Sequence, residues 1–157
     1  MTRLSGSAGS TLLELVVAMA ILPIGLLGAM GAFRAASQTI HHGTMASRAL
    51  AMVDSRIEAK RSARWDQLLS DDLDHDGVPD VVLRDDGQGG DLVSGDGTYT
   101  GRWEQEQILL TWTVTPSGPQ NLMQAGHVVI EALAQYGAGR QEVRALSVRA
   151  NPTYVGP

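Results

Sequence analysis

The alternation of apolar and polar positions divides the chain into three stretches. From Leu15 to Phe33, nineteen consecutive residues, LVVAMAILPIGLLGAMGAF, carry no charge. As a helix rising ~1.5 Å per residue, this run is about 28 Å long, close to the ~30 Å hydrocarbon core of a bilayer. A globular core helix seldom needs so long an uncharged run, so the pattern predicts a membrane-spanning segment. Beyond it, Ala46, Leu50, Val53 and Ile57 recur with helical spacing, flanked by Met45, Ala49 and Met52. Ser47, Ala51, Asp54 and Glu58 repeat that spacing on the opposite face, which predicts an amphipathic helix with one face on a folded domain. The helix is expected from Ser10 to about Arg64, roughly 80 Å in all. Gly43 is its weak point, costing about 1 kcal/mol relative to Ala.

The period then changes. Leu68 to Gly101 is acidic and glycine-rich, with DDG, GQGG and SGDG marking turns. After it, Ile108, Leu110, Trp112 and Val114 alternate with Leu109, Thr111, Thr113 and Thr115, which predicts a strand. HVVIEALAQY, GAG and RQEVRALSVRA read as a hairpin, and TYTGRWEQ as a further strand. The fold class expected is α+β: a long N-terminal helix, transmembrane then amphipathic, packed on a small antiparallel β-sheet.

Composition narrows the function. The chain has 157 residues, 43% of them hydrophobic, which excludes a wholly disordered protein. It contains no Cys, so disulfides and thiolate chemistry are excluded. Charge is segregated: Arg34 to Arg64 holds six cations and two acids, whereas Asp66 to Asp96 holds ten acids and one Arg. With a net charge of -5, no nucleic-acid partner is expected. No nucleophile motif, phosphate loop or acid–base pair stands out, so no enzyme is expected.

Glu14 lies at the entrance of the uncharged run. A carboxylate at that depth costs roughly 2.5–3.5 kcal/mol on insertion scales and calls for a partner. A secretory signal peptide is the competing reading, with Ala29-Met30-Gly31 as its small-x-small cleavage site and a mature start near Ala32. Its apolar core would be longer than usual, with Glu14 at its mouth. A carboxylate snorkelling to the interface is the plain structural alternative for Glu14.

The residues GSTLLELVVAMAILPIGLLGAM resemble the prepilin motif of type IV pilins and type II secretion pseudopilins. ILPIGLLGAMGAF is more similar to the PilV-type minor pilins and GspI-type pseudopilins than to major pilins. The resemblance implies a leader of residues 1–9, cut by a prepilin peptidase between Gly9 and Ser10, with methylation of the new Ser10 amine. Ser10 departs from the Phe or Met usual there. Segments 10–33 and 34–67 would then be the assembly and amphipathic parts of the stem, with 68–157 and 34–67 forming one periplasmic domain, a pilin ladle. Physically, Glu14 falls one turn after Ser10, so its carboxylate can neutralise that amine or a neighbouring subunit's. Pro23 removes a helix hydrogen bond and is expected to kink or locally open the stem, the alternative being a proline simply tolerated in a membrane helix.

Asp72, Asp74, Asp76, Gly77, Val78 and Asp80 spell DxDxDGVPD. A hard cation needs six to eight oxygens, and alternate residues of a tight loop aim theirs inward. The expected ligands for calcium are Asp72, Asp74, Asp76, the Val78 carbonyl and Asp80. The string resembles thrombospondin type-3 and related calcium loops. It departs from an EF-hand because Leu83 stands where a bidentate Glu belongs, leaving Asp85 or Asp86 as substitutes. The alternative is a solvated acidic loop without metal, and in either case His75 is expected to face solvent.

The functional expectation is a minor type IV pilin that primes fibre assembly within a tip-associated minor pilin complex. Its implied partners are the prepilin peptidase, other minor pilins, the major pilin, a tip adhesin and the inner-membrane assembly platform. Its implied location is the inner membrane, single-pass with a periplasmic C-terminal domain, and then the pilus tip. A minor pseudopilin of type II secretion is the alternative within the class. A membrane-anchored calcium-binding module is the alternative outside it.

Overall fold

The computed structural model describes residues 8–118, 122–137 and 141–152, with side chains from Leu12 onward. One helix, α1 (Ala8–Ser62), is followed by β1 (Ser70–Asp71), β2 (Val81–Val82), β3 (Tyr99–Gln105), β4 (Ile108–Pro116), β5 (His127–Tyr136) and β6 (Gln141–Ala150). The arrangement is α+β, as the two periodicities predict. Two compact units divide at His42/Gly43.

The first unit, residues 1–42, is described as helix from Ala8 onward. Every side chain from Leu12 to His42 is exposed, including Leu13, Ile24, Leu27 and Phe33. It is apolar and long enough to cross a membrane. The helix runs on through Pro23. The missing N–H still leaves the Met19 carbonyl without its donor four residues on.

In the second unit, β3-β4-β5-β6 form an antiparallel sheet in sequence order, and β1 and β2 a separate two-stranded ladder. The inward residues of β4 are Ile108, Leu110, Trp112 and Val114, the set its alternation predicts. They meet Val128, Ile130, Ala132 and Ala134 of β5 in one core. The last turns of α1 supply Met45, Ala49, Val53 and Ile57 to that core.

The buried helical face differs from the expected one. Leu50 is 48% exposed and Ala46 half-buried, while Met45 and Ala49 face the sheet. A step of four overshoots a 3.6-residue turn by about 40°. The stripe therefore drifts until a step of three, from Ile57, brings Lys60 onto the buried side. Residues 34–44, expected to belong to the globular domain, are exposed, and burial begins at Met45.

Two local features fix the sheet. Gly101 lies against the Trp112 ring so closely that a Cβ there would sit 2.9 Å from Cε2. Glu106 and Gln107 form the two-residue turn between β3 and β4 with φ of 48° and 67°, the left-handed conformation that such hairpins require. Glu106 also pairs with Arg48 of α1.

Candidate functional site

The expected assembly residues all lie on the N-terminal part of α1. Leader residues 1–7 lie outside the described residues, and Gly9 and Ser10 are described as helical backbone alone. Glu14 is helical and exposed, and no described residue forms an ion pair with it. A carboxylate placed at membrane depth costs roughly 2.5–3.5 kcal/mol on insertion scales unless a cation opposes it.

The acidic segment folds as two carboxylate clusters. In the first, Asp72, Asp74 and Asp80 each bring an oxygen to within 4.8 Å of the others. The loop's own amides hold them: Asp72 accepts from Asp76 N–H at 3.2 Å and Gly77 N–H at 2.8 Å, and Asp80 accepts from Leu73 N–H at 2.6 Å. Partial desolvation pushes the Asp72 carboxyl upward, but donation from the Gly77, His75 and Asp76 backbone and from Asp74 outweighs it, leaving it below its ordinary value. Asp76 is not among the converging three; its Oδ1 accepts from Val78 N–H at 2.7 Å. His75 faces solvent, with a φ of 63°.

The second cluster, Asp85, Asp91 and Asp96, was not foreseen. Asp85, expected as a substitute ligand for the first loop, instead accepts from Asp96 N–H at 3.2 Å and Gly97 N–H at 2.8 Å. Asp86 accepts from Gln88 N–H at 2.9 Å. The signal lay in the glycines of GQGG and SGDG, which let the backbone turn its amides back onto a carboxylate. Both clusters present hard oxygen donors of the kind calcium takes.

Between the loops and α1 lies a buried polar network that hydrophobic patterning missed. The Lys60 ammonium, 1% exposed, donates to Asp71 Oδ2 at 2.7 Å, Leu68 O at 2.6 Å and Ser70 O at 3.2 Å. Its three protons thus meet three acceptors. Arg56 Nη1 donates to Asp71 Oδ1 at 2.8 Å, and the Trp112 indole N–H donates to Oδ2 at 2.8 Å. The Arg56 guanidinium also lies 4.9 Å from the Trp112 ring centre. Burial lowers the Lys60 pKa below the ordinary lysine value, with Asp71 pulling the other way. Arg149 closes the helix end by donating to Lys60 O at 2.8 Å over the Trp65 ring.

Asp71 therefore ties the acidic loop to the core, since its backbone oxygen accepts from Asp80 N–H at 2.8 Å while its carboxylate faces α1. Comparison with family models, curated proteins and solved structures found no match.

Proposed function

We propose that this chain is a minor subunit of the type IV pilin class: a minor type IV pilin that primes fibre assembly and stays in a tip-associated complex of minor pilins. The role is structural rather than catalytic. The observation that carries the reading is the coincidence of Gly9-Ser10, Glu14 and the uncharged run on one helix. That helix leaves every side chain from Leu12 to His42 uncovered. Such a surface needs a lipid or helical partner, and Glu14, without an ion-pair partner among the described residues, would supply a register device that a plain anchor does not need. The reading implies cleavage after Gly9, N-methylation of Ser10, and an inner-membrane start with the β-domain in the periplasm. The acidic loop would take a structural calcium ion through Asp72, Asp74 and Asp80.

The test is the intact mass and N-terminal peptide of protein purified from membranes and from sheared fibres. A chain beginning at N-methylated Ser10 supports the pilin pathway, and recovery in sheared fibres selects the pilus over a type II secretion machine. A chain retaining Met1 where a functional prepilin peptidase is present, or one starting near Ala32, sinks the proposal.

A further inference from the structure

The acidic segment contains three Asp-Gly bonds, Asp76-Gly77, Asp86-Gly87 and Asp96-Gly97, spaced ten residues apart. Such a bond is open to isomerisation, because glycine has no side chain to hinder attack by its own nitrogen. In that reaction the glycine nitrogen attacks the aspartate Cγ. A C–N bond forms as the carboxyl C–O bond breaks, and the amide proton leaves with the hydroxyl as water. The product is a five-membered succinimide, which water reopens at either carbonyl. Opening at the α-carbonyl routes the main chain through Cγ as isoaspartate. One water is lost and one regained, so the mass is unchanged and no other reactant is needed.

All three glycine amides are held in the same way. Gly77 N–H donates to Asp72 Oδ2 at 2.8 Å, Gly87 N–H to Asp91 Oδ2 at 2.6 Å, and Gly97 N–H to Asp85 Oδ2 at 2.8 Å. In each case the acceptor belongs to a second aspartate, not to the Asp-Gly pair itself. The pair's own carboxylate is tied separately: Oδ1 of Asp76 accepts from Val78 N–H at 2.7 Å, that of Asp86 from Gln88 N–H at 2.9 Å, and that of Asp96 from Thr98 N–H at 2.7 Å. The glycines take φ of 90°, 73° and 86°, so a hindered residue could replace them only with strain. The capturing aspartates stand five, four and twelve residues from their glycines. One repeated local turn therefore does not account for the arrangement.

We infer that Asp76, Asp86 and Asp96 are latent isoaspartate sites, and that Asp72, Asp91 and Asp85 hold them unreactive by capturing the glycine amides. Two effects act on the glycine nitrogen. Its charge-assisted hydrogen bond must break before it can approach Cγ. The captured N–H also faces a carboxylate, and a negative neighbour disfavours the amide anion that attacks. The hydrogen bond from the residue two positions on fixes the carboxyl group as well, so both reacting partners are restrained. Losing one such capture is expected to speed isomerisation at its own site by about tenfold. This protection holds whether or not a cation binds, and whatever machine the chain enters.

The test incubates the full-length chain in detergent micelles, in neutral buffer with a chelator, and follows isoaspartate at each site by peptide mapping that separates the isobaric forms. Each site is expected to isomerise at least about tenfold more slowly in the native chain than in the same chain in urea. Asp72→Ala should raise the rate at Asp76-Gly77 about tenfold and leave Asp86-Gly87 and Asp96-Gly97 unchanged. Asp91→Ala should act in the same way on Asp86-Gly87 alone. Asp74→Ala is the contrast. Asp74 accepts from Asp76 N–H at 3.1 Å rather than from the glycine amide, so its loss loosens the same loop and should change the Asp76-Gly77 rate by no more than about twofold. Asp72→Asn keeps an acceptor oxygen without the charge, and should give part of the rise even where the alanine variant fails to fold. Equal rates in native and unfolded chain, equal acceleration by Asp72→Ala and Asp74→Ala, or a rise at all three sites from Asp72→Asn would each overturn the inference. The last two would make general looseness of the loops, rather than the captured amide, the cause.

Discussion

Replacing Asp71 by Asn should be among the most damaging single changes in the β-domain. The carboxylate is 6% exposed and opposes two cations, Lys60 at 2.7 Å and Arg56 at 2.8 Å. Asn can keep an acceptor oxygen at the Oδ2 position for the Trp112 indole and Lys60, but it removes the negative charge opposing the Lys60 ammonium, 1% exposed, and turns an NH2 toward Arg56 Nη1. Removing one partner of a buried pair costs about 3–5 kcal/mol, a large share of the ~5–15 kcal/mol of a typical domain. Lys60→Met should cost less, about 2 kcal/mol. Arg56 and Trp112 still satisfy Asp71, and the loss falls on the Leu68 and Ser70 carbonyls. The double variant should be milder than the sum of the two by about 1–3 kcal/mol, because the second substitution removes the charge that the first left stranded.

Urea unfolding of the full chain in micelles, followed by tryptophan fluorescence, measures all three, since Trp65 and Trp112 are buried. The pH dependence supplies a second check. Burial lowers the Lys60 pKa, so between that value and the ordinary 10.5 the unfolded chain binds more protons and stability rises with pH. Without Asp71 the opposing attraction is gone and the window reaches to lower pH. Asp71→Asn should therefore regain part of its lost stability on the alkaline side. A cost below about 1 kcal/mol, or costs additive within ~0.5 kcal/mol, would refute the account of the network.

Other outcomes follow from single contacts. Gly101→Ala sets a methyl 2.9 Å from the Trp112 ring and should destabilise the domain by about 1–3 kcal/mol in the same unfolding assay. Gln107→Gly relieves a residue at φ 67° while leaving Glu106 to pair with Arg48, and should stabilise by about 0.5 kcal/mol. If Asp72, Asp74 and Asp80 hold calcium, millimolar calcium should raise the melting temperature, and Asp74→Ala should abolish the rise. Asp72 is held below its ordinary 3.8, so its contribution is present above that pH and lost as pH falls through its folded value; acid titration followed by circular dichroism checks this. Glu14→Ala should leave the membrane level unchanged and reduce recovery in sheared fibres, read by immunoblot.

The difference between what the sequence revealed and what it concealed has a physical cause. Period two in β4 placed Ile108, Leu110, Trp112 and Val114 on the inner face because hydrophobic burial is the strongest pattern a sequence carries. The nineteen uncharged residues of α1 were legible for the same reason. Lys60 was not, because polarity marks a residue as exposed unless its partner is known, and Asp71 arrives on β1, eleven positions on. Asp71 faces α1 from the β1–β2 ladder, so this contact depends on topology rather than on local composition. The acidic loops fall between these cases. DxDxDGVPD pointed to Asp72, Asp74, Asp76, the Val78 carbonyl and Asp80, of which Asp72, Asp74 and Asp80 converge, whereas Asp85, Asp91 and Asp96 converge through glycine turns whose direction the sequence leaves open. What joins the legible to the hidden is Asp71 itself. Its main chain closes the Asp72–Asp80 loop and its side chain neutralises the α1 cations and holds the Trp112 indole, so disturbing the loop should be felt at Lys60, Arg56 and Trp112 together.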